Sequence, residues 1–264
     1  MGLEVASGGV EQVSTTPIRA LGPGWVFSLC PAAGEGGGSW VSWRKPERSY
    51  VAPGKARDPE RSAEMAGRRA RRTLRHYCAA NRLNRFGTLT YGPPRCTDPR
   101  VLREHTAEFF RSLREGLGGK PLAYVWVPEL HKDGVHLHVH FAVGRYVPRG
   151  LIESVWGRGW VHIKLLGDLP VGSGTLAEAR VAAGYLSKYV TKTFNDPTTR
   201  VMGLHRYDVA QGFQPEVLQL RGRTADAVIG QASEMFGAAP ARRWSSGEVA
   251  GWAAPPAIWA QWAG

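Results

Sequence analysis

His136-Leu137-His138-Val139-His140-Phe141-Ala142-Val143 is the stretch on which the fold turns. Successive side chains of a β-strand point to opposite faces of the sheet. As a strand, this segment projects all three imidazoles to one side and runs directly into the apolar Phe141-Ala142-Val143. Imidazoles on a buried face cost burial energy without packing as hydrocarbons do. Neutral imidazole is the commonest nitrogen ligand of divalent metals, so the strand reads as a metal-binding element. The alternative on these residues alone is a histidine cluster on a solvated face.

Working outward, Lys132-Asp133-Gly134 forms a turn and Leu122–Val127 the strand before it. Further upstream, Phe86-Gly87-Thr88-Leu89-Thr90-Tyr91 is rich in β-formers and stops at Gly92-Pro93-Pro94. Asp98 then precedes Pro99, an N-cap followed by proline at the first helical position. Leu102, Thr106, Phe109, Phe110, Leu113 and Leu117 recur at helical spacing until Gly118-Gly119. Downstream, Pro148 opens a short helix through Trp156, and Trp160–Leu165 alternates as a strand. Strand, helix, strand, strand, helix, strand is the split βαβ order of ferredoxin-like folds. The expected architecture is α+β, an antiparallel sheet with helices on one face and a basic N-terminal extension.

One more helix follows, with Thr175 and Glu178 as a capping box and Pro197 beyond its end. Ala179, Ala183, Leu186, Val190 and Phe194 form its packing stripe. Tyr185, Lys188, Tyr189 and Lys192 are expected on the opposite side. Alone, that face reads as two half-buried interfacial tyrosines among solvated lysines.

The flanks are less regular. The chain has 264 residues, a formal net charge of +12 and an isoelectric point near 10.1, with 43% apolar residues. That suffices for one large domain or a core with extensions. Arginine dominates the basic residues, and its fork suits phosphate. Nucleic acid is the expected partner, and an anionic membrane surface the other candidate. No apolar run approaches the roughly 20 residues of a membrane span, and no secretory leader pattern opens the chain. Three cysteines without a Cys-x-x-Cys pair fit a reducing cytoplasm and argue against a cysteine-based zinc site.

Residues 55–85 hold ten Lys/Arg against three acids. They read as a basic helix from just after Pro59 to near Asn81. Its Arg68, Arg69, Arg71 and Arg72 are candidate DNA contacts, the alternative being a solvated helix. The expected organisation is 1–54 as a loose leader, 55–84 as the basic helical extension, 85–215 as the core and 216–264 as a C-terminal extension. The leader holds two possible short strands, Trp25–Leu29 and Trp40–Trp43, around a Gly34–Gly38 loop. The C-terminal extension holds a possible helix in 221–243 and a tail with Trp244, Trp252, Trp259 and Trp262. Those aromatics either stack on bases or pack against the domain.

Three short motifs stand in order: Thr88-Leu89-Thr90-Tyr91, the histidine strand, and Tyr185-Leu186-Ser187-Lys188-Tyr189-Val190-Thr191-Lys192. Together, over roughly residues 85–195, they resemble the HUH endonucleases, and more closely the rolling-circle replication initiators of bacterial plasmids and small phages. The resemblance implies a His-hydrophobic-His metal pair. His138 and His140 fit it best, because the hydrophobic run follows His140. His136-Leu137-His138 also fits; with His138 and His140 as the pair, His136 is an extra ligand or a strand-end residue. A third ligand is expected from a neighbouring strand; Glu129, across the hairpin, can reach the same face, whereas His131 sits on the turn. Such a donor set suits Mn²⁺ or Mg²⁺.

By the same resemblance Tyr189 is the nucleophile. Tyr185, one turn earlier, stands where some phage initiators carry a second catalytic tyrosine and plasmid relatives often carry Glu. Lys188 and Lys192 would steady phosphate or neutralise phenolate. The implied activity is site-specific nicking and rejoining of single-stranded origin DNA, at a hairpin or duplex origin, through a 5′-phosphotyrosine. That chemistry starts and ends rolling-circle replication in the bacterial cytoplasm. No Gly-x-x-x-x-Gly-Lys-Ser/Thr motif is present, so unwinding falls to a host helicase, alongside a host polymerase. The rivals are an HUH transposase or relaxase and, from another class, a non-catalytic protein whose sheet binds single-stranded nucleic acid. The last leaves the Tyr-Lys face without a role.

Overall fold

The computed structural model describes residues 22–42, 50–52, 54–165, 176–195 and 207–263, with the backbone alone at 165 and 189–195. The elements in order are β1 (Gly24–Cys30), β2 (Glu35–Val41), α1 (Pro59–Ala80), β3 (Arg85–Tyr91), α2 (Pro99–Gly116), β4 (Tyr124–Leu130), β5 (Leu137–Val143), α3 (Arg149–Trp156), β6 (Gly159–Leu165), α4 (Leu176–Asn195), β7 (Asp208–Val209), β8 (Leu218–Gly222), α5 (Ala225–Phe236), β9 (Arg242–Ser245) and β10 (Ala257–Gln261).

The central sheet has the order β6-β3-β5-β4-β7, antiparallel throughout. β3 to β6 realise the ferredoxin-like order with β5 inserted between β3 and β4. Local signals set the boundaries. Asp98 accepts a hydrogen bond from the Arg100 N–H at the start of α2, and Asp58 accepts one from Arg61 at the start of α1. Thr175 and Pro197, the expected marks at the two ends of α4, lie outside the described residues. Glu178 is buried and accepts from the Asn84 side chain.

Helices cover both faces of this sheet, not one. Leu89, Trp126, Val139, Phe141 and Val161 pack against Leu102, Phe109, Phe110 and Leu113 of α2 and Ile152 and Trp156 of α3. On the other face Phe86, Val125, Val127 and Ala142 lie under Ala70, Leu74, Tyr77 and Cys78 of α1 and Ala182, Ala183 and Leu186 of α4. The correction has a simple cause. β3, β4 and β5 carry buried apolar residues on both sides, with Phe86, Val125, Val127 and Ala142 on the second face, so neither face can be left to water.

The basic helix is therefore part of the core. Fully burying Leu74 and Tyr77, at about 1.5–3 kcal/mol for a large apolar side chain, fixes α1 along α4. Its arginines take the opposite side. Arg68, Arg69 and Arg72 are exposed and Arg71 is half-buried.

The flanks meet in a second sheet of order β8-β1-β2-β10-β9, backed by α5. The Gly34–Gly38 run, expected as a loop, lies mostly inside β2. Gly36 and Gly38 stand opposite Leu29 and Phe27. A Cβ on Gly36 would fall 2.3 Å from the Phe27 ring, and one on Gly38 2.3 Å from the Val26 carbonyl oxygen. Glycine in a strand here marks a close approach. Trp262 is buried against Phe27 and Phe236, and Trp244 packs on Trp252. The residues before position 22, and Trp43, lie outside the described residues.

Candidate metal centre

The β4–β5 hairpin builds the site. At its turn Asp133 accepts from the N–H groups of Val135 and His136 at 2.9 and 3.0 Å, and Gly134 takes a left-handed φ of 72°. Bonds from the His136 backbone and ring, and from Val135, hold the Asp133 carboxyl well below the usual range. This turn fixes the register, with Glu129 opposite His138. On the other side of β5, Thr88 stands opposite His140 and Thr90 opposite His138. Residues paired across an antiparallel ladder share a face, so these groups all point to the side covered by α1 and α4.

Three donor groups converge there. Glu129 Oε2 lies 3.1 Å from His138 Nε2 and 2.6 Å from His140 Nε2, and the two Nε2 atoms are 3.0 Å apart. Among the described residues, these three form the one group of His, Cys, Asp or Glu donors close enough to hold a metal. His138 and His140 are 9% and 6% exposed. Spacings near 3 Å are those of adjacent ligands around an ion that binds at about 2.1 Å. One carboxylate and two neutral imidazoles suit Mn²⁺ or Mg²⁺ with positions left for phosphate oxygens, so the residues fit the group.

A second layer orients the ligands. Thr88 Oγ1 lies 3.0 Å from His140 Nδ1, leaving Nε2 to face Glu129. Phe86 stacks on the His140 ring at 5.2 Å. The His138 Nδ1 is buried with no hydrogen-bond partner among the described residues. Thr88 and Phe86 carry no chemistry of their own in the sequence. Their signal is register, since both sit on the alternate positions of β3 that face the histidines.

His136 does not join the cluster. Its Nδ1 is 2.7 Å from Asp133 Oδ2, so the turn holds the ring, and β5 starts one residue later at Leu137. His131 is nearer than its place on the turn suggests, with its ring 4.4 Å from that of His138. Burial, then the nearby His138, lowers the His131 pKa and favours its neutral form.

α4 crosses the same face. Tyr185 does not point away from the packing stripe. It meets the Phe86 ring edge-on at 4.8 Å and packs on the cluster containing Ala182, Ala183 and Leu186. Ala179, Ala182, Ala183 and Leu186 form the buried face, and half-buried Tyr185 lies at its border. The described members of the expected stripe, Ala179, Ala183 and Leu186, are all buried, but the buried arc also takes in Ala182 and so reaches toward Tyr185. Two ammonium groups flank the Tyr185 ring: Lys164 Nζ at 5.3 Å and Lys188 Nζ at 5.7 Å from its centre. Lys188 is exposed, and the side chains of Tyr189 and Lys192 lie outside the described residues. On α1, Arg68 forms an exposed ion pair with Glu64 at 2.6 Å; such pairs contribute little to stability. No described helix is long and apolar enough to cross a membrane.

No curated protein and no solved structure matches the chain. Residues 84–194 do match a family model, and the matched span runs from the start of β3 nearly to the end of α4, taking in the triad and the Tyr-Lys segment. The model that residues 84–194 match is that of the replication-associated protein ORF2/G2P family, a family of rolling-circle replication initiators.

Proposed function

We propose that the protein nicks and rejoins single-stranded origin DNA through a 5′-phosphotyrosine, and thereby starts and ends rolling-circle replication of a plasmid or phage in the bacterial cytoplasm. The observation that carries this reading is the triad Glu129, His138 and His140 on the sheet face crossed by α4. A divalent ion held there, Mn²⁺ or Mg²⁺, would polarise the scissile phosphate and offset charge developing on its oxygens. Thr88 and Phe86 would keep the His140 ring in its ligating orientation.

Tyr189 is the proposed nucleophile. It lies four residues, about one helical turn, beyond Tyr185. Its phenol loses a proton and its oxygen forms a new bond to phosphorus. The bond to the 3′ oxygen breaks, and that oxygen takes a proton to become a 3′-OH primer. The phosphodiester is kept as phosphotyrosine, so no water is consumed and a later 3′-OH can reverse the step. Lys188 and Lys192 are proposed to steady the reacting phosphate or neutralise phenolate, and Tyr185 to accept the second transfer that closes a round. Arg68, Arg69, Arg71 and Arg72 would bind flanking phosphates, with unwinding and synthesis left to a host helicase and polymerase.

The test is incubation of the protein with Mn²⁺ and single-stranded DNA of the replicon that encodes it. A covalent adduct on a denaturing gel is expected for the parent and none for Tyr189→Phe, with DNA binding retained. An adduct that persists in Tyr189→Phe moves the nucleophile to Tyr185, and no adduct from the parent overturns the reading. Tyr185→Phe is expected to nick but to fail in transferring a labelled nicked strand to a second origin strand. Full transfer by that variant reduces Tyr185 to packing against Phe86.

A further inference from the structure

Among the described residues, the central sheet is not covered evenly on the triad side. α4 packs over β4 and β5, while β6 is the edge strand beside β3. Along β6, Val161 and Ile163 turn into the α2–α3 core. Trp160, His162 and Lys164 alternate with them and are exposed on the other face. The register then draws one row across the sheet: Trp160 opposite Thr90, Thr90 opposite His138, His138 opposite Glu129. Trp160 thus shares the face of the metal ligands, two strand spacings from His138. At about 4.8 Å per strand that is roughly 10 Å, or about three stacked nucleotide steps.

An indole 61% exposed on a sheet edge is costly where nothing covers it, since edges are ordinarily guarded by charge. Tyr50 and Tyr146 are also exposed, but neither sits in a ladder row with the triad. The surroundings of Trp160 suit a polyanion that carries flat bases. Lys164 lies four residues along the same strand face, beyond His162 and opposite Phe86, and Lys164 and Lys188 bracket Tyr185 on the border of α4. We infer that Trp160 is a stacking platform for a base of single-stranded DNA next to the scissile phosphate, with Lys164 and Lys188, around Tyr185 on the far side of the triad rows, binding phosphates of the same strand. The inference rests on the reading of the protein as a single-strand nuclease, and it assigns the subsite that feeds the strand to the metal centre.

Equilibrium binding of the full chain to a dT20 oligonucleotide in EDTA isolates the platform from cleavage. Base–aromatic stacking of about 1–3 kcal/mol corresponds to roughly 5- to 150-fold in affinity. Trp160→Ala is expected to weaken dT20 binding within that range, and Trp160→Phe to keep most of it. The slope of log affinity against log salt should be unchanged in Trp160→Ala and shallower in Lys164→Gln. Unaltered Mn²⁺ binding and melting temperature would show that the sheet is intact. Photo-crosslinking of the unmodified protein to an iododeoxyuridine strand gives a readout independent of any variant, with the crosslinked peptide expected to contain Trp160. Parent-like dT20 binding by Trp160→Ala, or a crosslink that maps away from β6, overturns the platform. A loss of dT20 binding in Trp160→Ala together with no adduct from the parent keeps the platform and overturns the nicking.

Discussion

The central sheet is assembled from neighbours in sequence, β3 to β6 all falling between residues 85 and 165. The flanking sheet joins the two ends of the described chain, with Trp25 opposite Gly222 and Ser39 opposite Ala257. Their interiors differ as much as their connectivity. The first encloses two histidines and a glutamate beneath a helix. The second encloses Phe27, Leu29, Ile258, Ala260 and Trp262 against α5. Its contribution to the site is mechanical. The Arg180 guanidinium, on the N-terminal half of α4, donates to the carbonyls of Ala33, Gly34 and Trp262 at 2.8–3.0 Å. Glu35 of β2 is buried between Arg75 and His76 of α1, 3.1 Å from each. The flanking sheet thus clamps the two helices that cover the triad, and one of them carries the Tyr-Lys segment.

If that division of labour holds, the largest effects belong to the triad alone. His138→Ala and His140→Ala are each expected to lower Mn²⁺ affinity by at least the roughly 100-fold that loss of outer-shell partners can reach, and to remove cleavage. His136→Ala should do neither, since Asp133 holds that ring on the turn. Calorimetric titration with Mn²⁺ decides. Trp259→Ala in the flanking sheet is the control, and a matching loss of metal affinity there would break the contrast between the sheets.

The clamp is tested at Glu35. Burial alone would raise its pKa, but the hydrogen bond from His76 and the charge of Arg75 outweigh burial and hold it below the ordinary 4.5. A carboxyl whose folded value is depressed contributes stability that is full above its unfolded value and lost as pH falls through the folded one. The parent should therefore lose stability below about pH 4.5 more steeply than Glu35→Gln. Near neutrality Glu35→Gln should cost about 3 kcal/mol, the low end for breaking a buried pair, because Arg75 keeps 38% exposure. Urea melts at pH 7 and pH 4 give both numbers, and parallel pH profiles would remove Glu35 from the clamp.

The central sheet was legible because its signals are local. Asp98-Pro99 starts α2, the Asp133 turn sets the hairpin, and alternation on β3 and β5 defines the faces. Glu129 was reachable by counting back across that turn. The wheel of α4 found the buried Ala179, Ala183 and Leu186 but misplaced Tyr185, because a stripe cannot tell how far the buried arc extends past Ala182. Phe86, on a different strand, decides it. The flanking sheet was read only in part: the expected strand Trp25–Leu29 lies in β1 and the expected helix in 221–243 holds α5, but three consecutive glycines argue for a loop unless the Phe27 ring against Gly36 is known.

Glycine substitutions sharpen the comparison at a smaller scale. A Cβ at Gly38 would meet the backbone of Val26 and Phe27 at 2.3 and 2.8 Å, and one at Gly87 would meet the buried Phe141 ring at 2.1 Å. Both Gly38→Ala and Gly87→Ala should cost about 1–3 kcal/mol through overpacking. Only Gly87→Ala is expected to shift Mn²⁺ affinity, because Phe141 follows His140 directly and any yielding of that ring moves β5. A shift of equal size in Gly38→Ala would mean that the flanking sheet positions the ligands and not just the helices above them.

The smallest effects ask whether the two sheets unfold together. Asp98 caps α2 against the central sheet and Thr224 caps α5 against the flanking one, each accepting from a first-turn N–H. Replacing either by Ala should cost about 1 kcal/mol. The sheets share Arg180 and Glu35 as cross-ties, and α1 lies between them with its own buried stripe. Breaking away the flanking sheet would strip the buried Glu35 and Ala79 of their cover. One cooperative transition is therefore expected. In native-state hydrogen exchange the slowest amides of β5 should lose the same roughly 1 kcal/mol of protection in Thr224→Ala as in Asp98→Ala. If Thr224→Ala leaves β5 protection untouched while β1 and β8 exchange faster, the flanking sheet opens on its own. The helices over the triad would then be released without unfolding the metal ligands beneath them.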